Sequence, residues 1–155
     1  MAIFCTHCGT KYTNDLWPRH CQGCGEFTYR NPLPVALAVV PVKGGGLLTV
    51  RRDIEPQRGH LCLPGGFMEF GESWQESVVR ELREETTIEF AAEQVRLHTV
   101  QSSQWHILVF GLVPEIAAAP TELTEETSGY EVIFGPAELA FPNHTAVAAA
   151  YFAAT

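Results

Sequence analysis

The chain has 155 residues, 46% of them hydrophobic and 18% charged, with a formal net charge of −8. That is enough apolar material for one packed domain and a small appendage, and it excludes wholesale disorder. No run of about 20 apolar residues exists to span a bilayer, no basic segment followed by an apolar run resembles a secretory signal, and so acidic a chain offers a nucleic-acid backbone little charge of its own. A cytoplasmic protein acting on small ligands is expected, with a cation mediating any contact to phosphate.

Four of the five cysteines come first, as Cys5-x2-Cys8 and Cys21-x2-Cys24. Two such knuckles suit tetrahedral thiolate coordination of Zn²⁺. Two disulfides or ligand-free thiols are the alternatives, and a reducing compartment favours the metal. Gly9 and Gly25 follow the second cysteine of each pair, where a tight turn needs positive φ. His7 and His20 lie nearby as substitute ligands, but four thiols already complete a site. A ribbon over residues 1–30 is too small for a core of its own, so structural zinc would supply much of its folding free energy. Pro32 and Pro34 then mark an extended junction to a second domain over residues 31–155.

In that domain Val35–Val42 reads as a buried strand, Gly44-Gly45-Gly46 as a turn and Leu47–Arg51 as the returning strand of a hairpin. Asp53–His60 is a polar loop, and Leu61–Leu63 a short strand ending at Pro64-Gly65-Gly66. Cys62, between two leucines, is expected to be a buried small hydrophobe. Ser73-Trp74-Gln75-Glu76 is a capping box that starts a helix with Trp74, Val78 and Leu82 as its buried stripe. Strands follow at Val95–Val100 and His106–Val113, a loop over Pro114–Thr127, a short strand at Glu131–Phe134, and a final helix capped by Asn143 or Thr145 and running to about Ala154.

Chemistry concentrates on the first helix. Glu81, Glu84 and Glu85 stand at i, i+3 and i+4 and share a face. They repel one another at the negative end of the helix dipole, each effect costing a few tenths of a kcal/mol when exposed. A divalent cation would turn that cost into attraction, and oxygen ligands suit Mg²⁺ or Mn²⁺. The alternative is a solvated acidic face paired with Arg80 and Arg83.

The surrounding residues favour the metal. The segment Gly66-x5-Glu72-x7-Arg80-Glu81-Leu82-x-Glu84-Glu85-x-Thr87-Ile88 resembles the Nudix box, departing from it only where Thr87 replaces a glycine. The cysteine ribbon followed by Arg30-Asn31-Pro32 and the box is similar to the zinc-ribbon Nudix hydrolases. Arg51-Arg52-Asp53-Ile54-Glu55-Pro56 and Leu139-Ala140-Phe141 resemble the members that cleave ADP-ribose or FAD. The segment Gln101–His106 stands where NADH-cleaving members carry an SQPWPFP-like motif, and it lacks the prolines, which argues against NADH.

The resemblance implies an α/β/α sandwich with a mixed sheet. It implies Glu81 and Glu85 as principal Mg²⁺ or Mn²⁺ ligands, Glu84 as a further ligand or base, and the Gly65 carbonyl as a ligand from the loop. Glu72 would support the loop or a second metal, and Arg80 would clamp the carboxylates without touching substrate. A water activated by the metal would attack one phosphorus of a diphosphate, releasing AMP. Glu126 or Glu131 would add a distal carboxylate; Arg51 and Arg52 end a strand facing this loop and could contact phosphates, and the aromatics Trp105, Tyr130 and Phe134 are available to stack on a base or flavin. A homodimer is also implied. Oxidised nucleoside triphosphates and NADH are alternative substrates, and a nucleotide-sensing or RNA-contacting module is the alternative to an enzyme; Lys11, Arg19 and Arg30 are few cations for the last. Thr87 is expected to end the helix without the left-handed cap that a glycine would adopt.

Overall fold

The computed structural model describes residues 3–154. Met1 and Ala2, which open the segment lacking a secretory pattern, and Thr155 lie outside the described residues. The chain divides into two compact units between Pro32 and Leu33, two residues beyond the boundary expected after Arg30.

The N-terminal unit holds a two-stranded antiparallel sheet of β1 (Arg19–His20) and β2 (Phe27–Thr28), and a bridge between Phe4 and Lys11 closes its first knuckle. Its interior is built on a buried cation. The Arg19 guanidinium lies 5.0 Å from the Tyr12 ring centre and 4.7 Å from that of Trp17, and bonds the Asp15 carboxylate at 2.7 Å. Ring faces attract a cation, so aromatics and one ion pair stand in for an aliphatic core.

The second unit runs β3 (Leu33–Val39), β4 (Pro41–Val42), β5 (Gly46–Arg52), β6 (Leu61–Cys62), β7 (Gly65–Phe67), α1 (Trp74–Thr86), β8 (Arg96–Ser102), β9 (His106–Leu112), β10 (Thr127–Ile133) and α2 (Pro142–Ala154). One sheet has the order β7-β3-β9-β8, with β3 parallel to β9 and the other pairs antiparallel. The other centres on β5, with β10 along one edge and β4 and β6 along the opposite one. Alternation along β3 sorts two cores. Ala36, Ala38 and Val40 face Val78 and Leu82 of α1, while Leu37 and Val39 face Phe110, Leu139, Val147 and Ala148 on the α2 side. Alanines opposite α1 let the helix approach the sheet closely. The result is the expected mixed sheet between helices.

Several boundaries differ from expectation. The strand read as Val35–Val42 breaks after Val39, because Pro41 has no N–H for a ladder; β3 joins one sheet and β4 makes the hairpin with β5. The strand read as Glu131–Phe134 begins at Thr127 and pairs with β5 as far as Ile133, with the register shifting at Ser128 and partner pairing overriding the poor strand propensity of Gly129. Neither Asn143 nor Thr145 caps α2, which starts at Pro142, a residue suited to the first turn. The Asn143 amide instead donates to Gln101 Oε1 at 2.6 Å, and Thr145 Oγ1 accepts from the Leu139 backbone amide at 2.9 Å. The short β7 and a single 3-10 turn at Ala92–Gln94 carried no periodic signal.

Helix α1 opens as expected. Ser73 Oγ accepts from the Glu76 amide, and Glu76 Oε2 accepts from the Ser73 amide at 2.7 Å. Its other end corrects the expectation for Thr87, which adopts the left-handed cap (φ 62°, ψ 3°) with its amide donating to the Arg83 carbonyl at 2.8 Å. The fold imposes the geometry a glycine would take freely, at a cost to a β-branched residue of roughly 1–2 kcal/mol. Thr87→Gly should therefore stabilise the protein by about 1 kcal/mol, part of the gain being lost to a looser unfolded chain. Urea unfolding followed by helical ellipticity checks this; an unchanged midpoint would show the cap to be unstrained.

Candidate active site

The four thiols of the N-terminal unit converge. Their sulfurs lie within 4.8 Å of one another, with Cys5 3.7 Å from Cys24 and Cys8 3.6 Å from Cys21. These separations far exceed a disulfide bond of about 2.05 Å, and all the cysteines are free. The knuckle amides of His7 and Gly23 donate to Cys5 Sγ and Cys21 Sγ at 3.4 and 3.3 Å, the polarisation a thiolate favours. Gly9 and Gly25 take positive φ as expected, and neither His7 nor His20 joins the cluster. The set fits a zinc ion.

The box residues gather around α1 and β7. Gly65 has φ 141°, and a Cβ there would collide with the Ala36 carbonyl oxygen; one on Gly66 would meet the Glu81 carboxylate at 2.6 Å. Only glycines let β7 lie this close to both β3 and the helix carboxylates. The Gly65 amide donates to Glu85 Oε2 at 2.9 Å.

Arg80 knits the rest together. Its guanidinium bonds Glu72 at 2.8 Å, Glu81 at 2.8 Å, Glu84 at 3.1 Å and the Phe67 carbonyl at 3.0 Å. Glu72 also accepts from the Glu69 amide, and chiefly through Arg80 its carboxyl is held down at about 2. Glu81 and Glu85 move the other way. Burial raises Glu81 despite Arg80, and burial pushes Glu85 up to about 8 despite the Gly65 amide, with Glu81 and Glu126 adding repulsion. Among the described residues only the four thiols form a group of three or more ligand atoms within 4.8 Å of one another. The carboxylates do not, since Arg80 holds Glu81 and Glu84 while Glu85 turns to Gly65.

Arg51 and Arg52 are adjacent on β5 and so point to opposite faces. Arg51 is engaged by the Gly59 carbonyl at 2.7 Å and by Glu131 at 3.1 Å. Arg52 bonds the Pro56 carbonyl, lies 5.2 Å from the Phe141 ring centre, and projects its charge toward Glu85. The structure thus separates candidates that sequence left equivalent: Arg52 and Glu126 act on the carboxylates, and Arg51 and Glu131 pair with each other. Cys62 is buried as expected, its thiol pushed up to about 12 chiefly by burial.

The Tyr130 hydroxyl is engaged within the fold. It lies 2.9 Å from the carbonyls of both Glu85 and Glu122, and Thr124 and Thr127 reach the same Glu85 carbonyl at 3.3 Å. These three side chains satisfy the Glu85 carbonyl at the end of α1; hydroxyls spread over residues 124–130 gave no signal of it. Trp105 and Phe134 remain 48% and 69% exposed.

Comparison with known proteins agrees with this geometry. The NUDIX domain profile matches residues 32–154. An ADP-ribose pyrophosphatase of Methanocaldococcus jannaschii is 45% identical over 60 residues, 37% of this chain and 36% of that protein. An NAD-capped RNA hydrolase NudC of Pseudomonas putida is 30% identical over 143 residues, 88% of this chain and 45% of that protein. The chain thus spans less than half the length of these curated relatives. The crystal structure of a NUDIX hydrolase from Nitrosomonas europaea superposes with a TM-score of 0.77 at 23% identity, covering 97% of this chain and 90% of that one. With the box glutamates, their arginine clamp and the fold in agreement, this chain belongs to the NUDIX domain family.

Proposed function

We propose that the protein is a divalent-metal-dependent hydrolase that splits the diphosphate of an ADP-ribose-like nucleotide, releasing AMP. The observation that carries this is the pair Glu81 and Glu85, buried together beside Gly65 and Gly66 with their charged forms disfavoured. Arg80 reaches Glu81 but not Glu85, so a small hard cation fits the pair electrostatically. Glu81, Glu85 and the Gly65 carbonyl would hold Mg²⁺ or Mn²⁺, which when bound would lower the pKa of water and neutralise phosphoryl charge. Glu84, the exposed member, would serve as a further ligand or accept the proton of the attacking water. Glu72 and Arg80 keep the loop and helix in register, and Arg52 supplies positive charge for the diphosphate. One zinc ion at Cys5, Cys8, Cys21 and Cys24 would be structural.

A second reading of the substrate is a dinucleotide at the end of an RNA. It is favoured by the match to the NAD-capped RNA hydrolase, whose 88% coverage must reach into the N-terminal unit, whereas the match to the pyrophosphatase spans 60 residues. The test is a panel of ADP-ribose, FAD, NADH, NAD-capped RNA and oxidised dGTP at millimolar Mg²⁺, read by product chromatography on protein carrying one zinc per chain. AMP from ADP-ribose is the expected result. Pyrophosphate from the triphosphate would overturn the substrate, and no turnover of any member would overturn the enzyme.

A further inference from the structure

The N-terminal unit carries its sheet inside out. Arg19 and Thr28, paired across β1 and β2, are buried, while the next pair, His20 and Phe27, is exposed. Alternation along a half-buried strand ordinarily turns aromatic residues inward and cations outward. Tyr29, two residues beyond Phe27, continues the exposed face. The three rings make a row, with centroids 4.8 Å apart between His20 and Phe27 and 6.3 Å between Phe27 and Tyr29, inclined by 42° and 32°. Phe27 is 48% and Tyr29 63% exposed. A scattered apolar side chain such as Leu16 means little on so small a unit; three contiguous rings on one sheet face form a built surface. Gln22 Nε2 lies 3.3 Å from His20 Nδ1 at the end of the row.

Charge permits an anionic chain to approach here more easily than it does on the second unit. Residues 1–32 carry Lys11, Arg19 and Arg30 against Asp15 and Glu26, a formal +1, which leaves −9 on the rest of the chain. A zinc ion with four thiolates would shift the unit to about −1, still close to neutral. Net charge alone argued against nucleic acid, but that argument averages over two units of different character. Stacking on rings needs no charge, tolerates any base, and suits unpaired strands whose base faces are open.

We propose that His20, Phe27 and Tyr29 form a stacking platform for two or three successive bases of single-stranded RNA. The choice of RNA rests on the second substrate reading above; the platform itself rests on the ring row. The test titrates full-length, zinc-loaded protein into a fluorescein-labelled oligouridine of about ten nucleotides, read by anisotropy without magnesium. Saturable binding is expected, weakened about tenfold by Tyr29→Ala and by Phe27→Leu. Phe27→Leu retains apolar bulk, and one zinc ion per chain confirms that the N-terminal unit still folds. With so few cations nearby, doubling the salt should cost less than about threefold in affinity. Wild-type protein that does not bind, ring variants that bind as well as wild type, or tighter binding of the matching oligothymidine would each overturn the proposal. Binding is read without turnover, so a failure to hydrolyse ADP-ribose bears on the diphosphate site alone.

Discussion

Glu85→Gln should abolish most of the activity and leave a more stable protein. Turnover at saturating Mg²⁺ is expected to fall by about 10²–10³-fold, the scale on which one lost electrostatic partner of a transition state is felt. Glutamine keeps the shape of glutamate and can still accept from the Gly65 amide, so the fold is preserved. Stability should move the opposite way. Burial raises the Glu85 carboxyl to about 8, against an ordinary value near 4.5. A raised carboxyl costs nothing below the unfolded pKa, and its burden grows as pH rises from there to the folded pKa. At pH 7, without metal, that burden is about 3 kcal/mol at most, and glutamine removes it. Paired measurements of turnover and urea midpoint check both halves. Near-normal activity at saturating Mg²⁺ would refute the role assigned to Glu85, and a large loss of stability would refute the account of its burial.

The opposed effects show why the carboxylates were legible in sequence and their surroundings were not. Fixed spacings from Gly66 to Glu85 place four glutamates and Arg80 on one helix and one loop, and local geometry does the rest. The α1 cap and stripe were legible for the same reason. What sequence left open depends on residues far apart along the chain. Arg51 and Arg52 looked equivalent until β5 gained Glu131 on one side and Phe141 on the other. Tyr130 read from sequence only as an aromatic ring, and β10 brings its hydroxyl to the Glu85 carbonyl. Thr87 breaks the local rule for a left-handed cap, and the helix adopts that cap regardless. The ring row escaped notice because two-residue strands are too short to show a period, and because a buried arginine reverses the usual inside and outside.

The second large effect concerns pH and uncovers a compensation between Glu85 and His144. His144 is buried between Phe110 and Phe141, and its Nδ1 accepts from the Leu63 amide at 3.1 Å. That bond requires an unprotonated Nδ1, and burial, with the charge of Arg52, lowers the imidazole to about 4. Below pH 6.5 the unfolded chain therefore takes a proton that the folded chain refuses. Stability is lost at about 1.4 kcal/mol per pH unit down to about pH 4, roughly 3 kcal/mol in all. Glu85 does the reverse, since between pH 8 and 4.5 the folded chain takes a proton that the unfolded chain releases. In metal-free wild type the two slopes oppose each other from pH 6.5 to 4.5, and stability should change little there. The Glu85→Gln variant removes one of them and should lose about 2–3 kcal/mol over that same window. Adding His144→Asn, whose side-chain oxygen can still accept from the Leu63 amide but cannot titrate, should flatten the curve again. Urea unfolding followed by helical ellipticity reports on the second unit alone, because both helices lie in it. A Glu85→Gln protein equally stable at pH 6.5 and 4.5 would show that His144 is not held neutral by its burial.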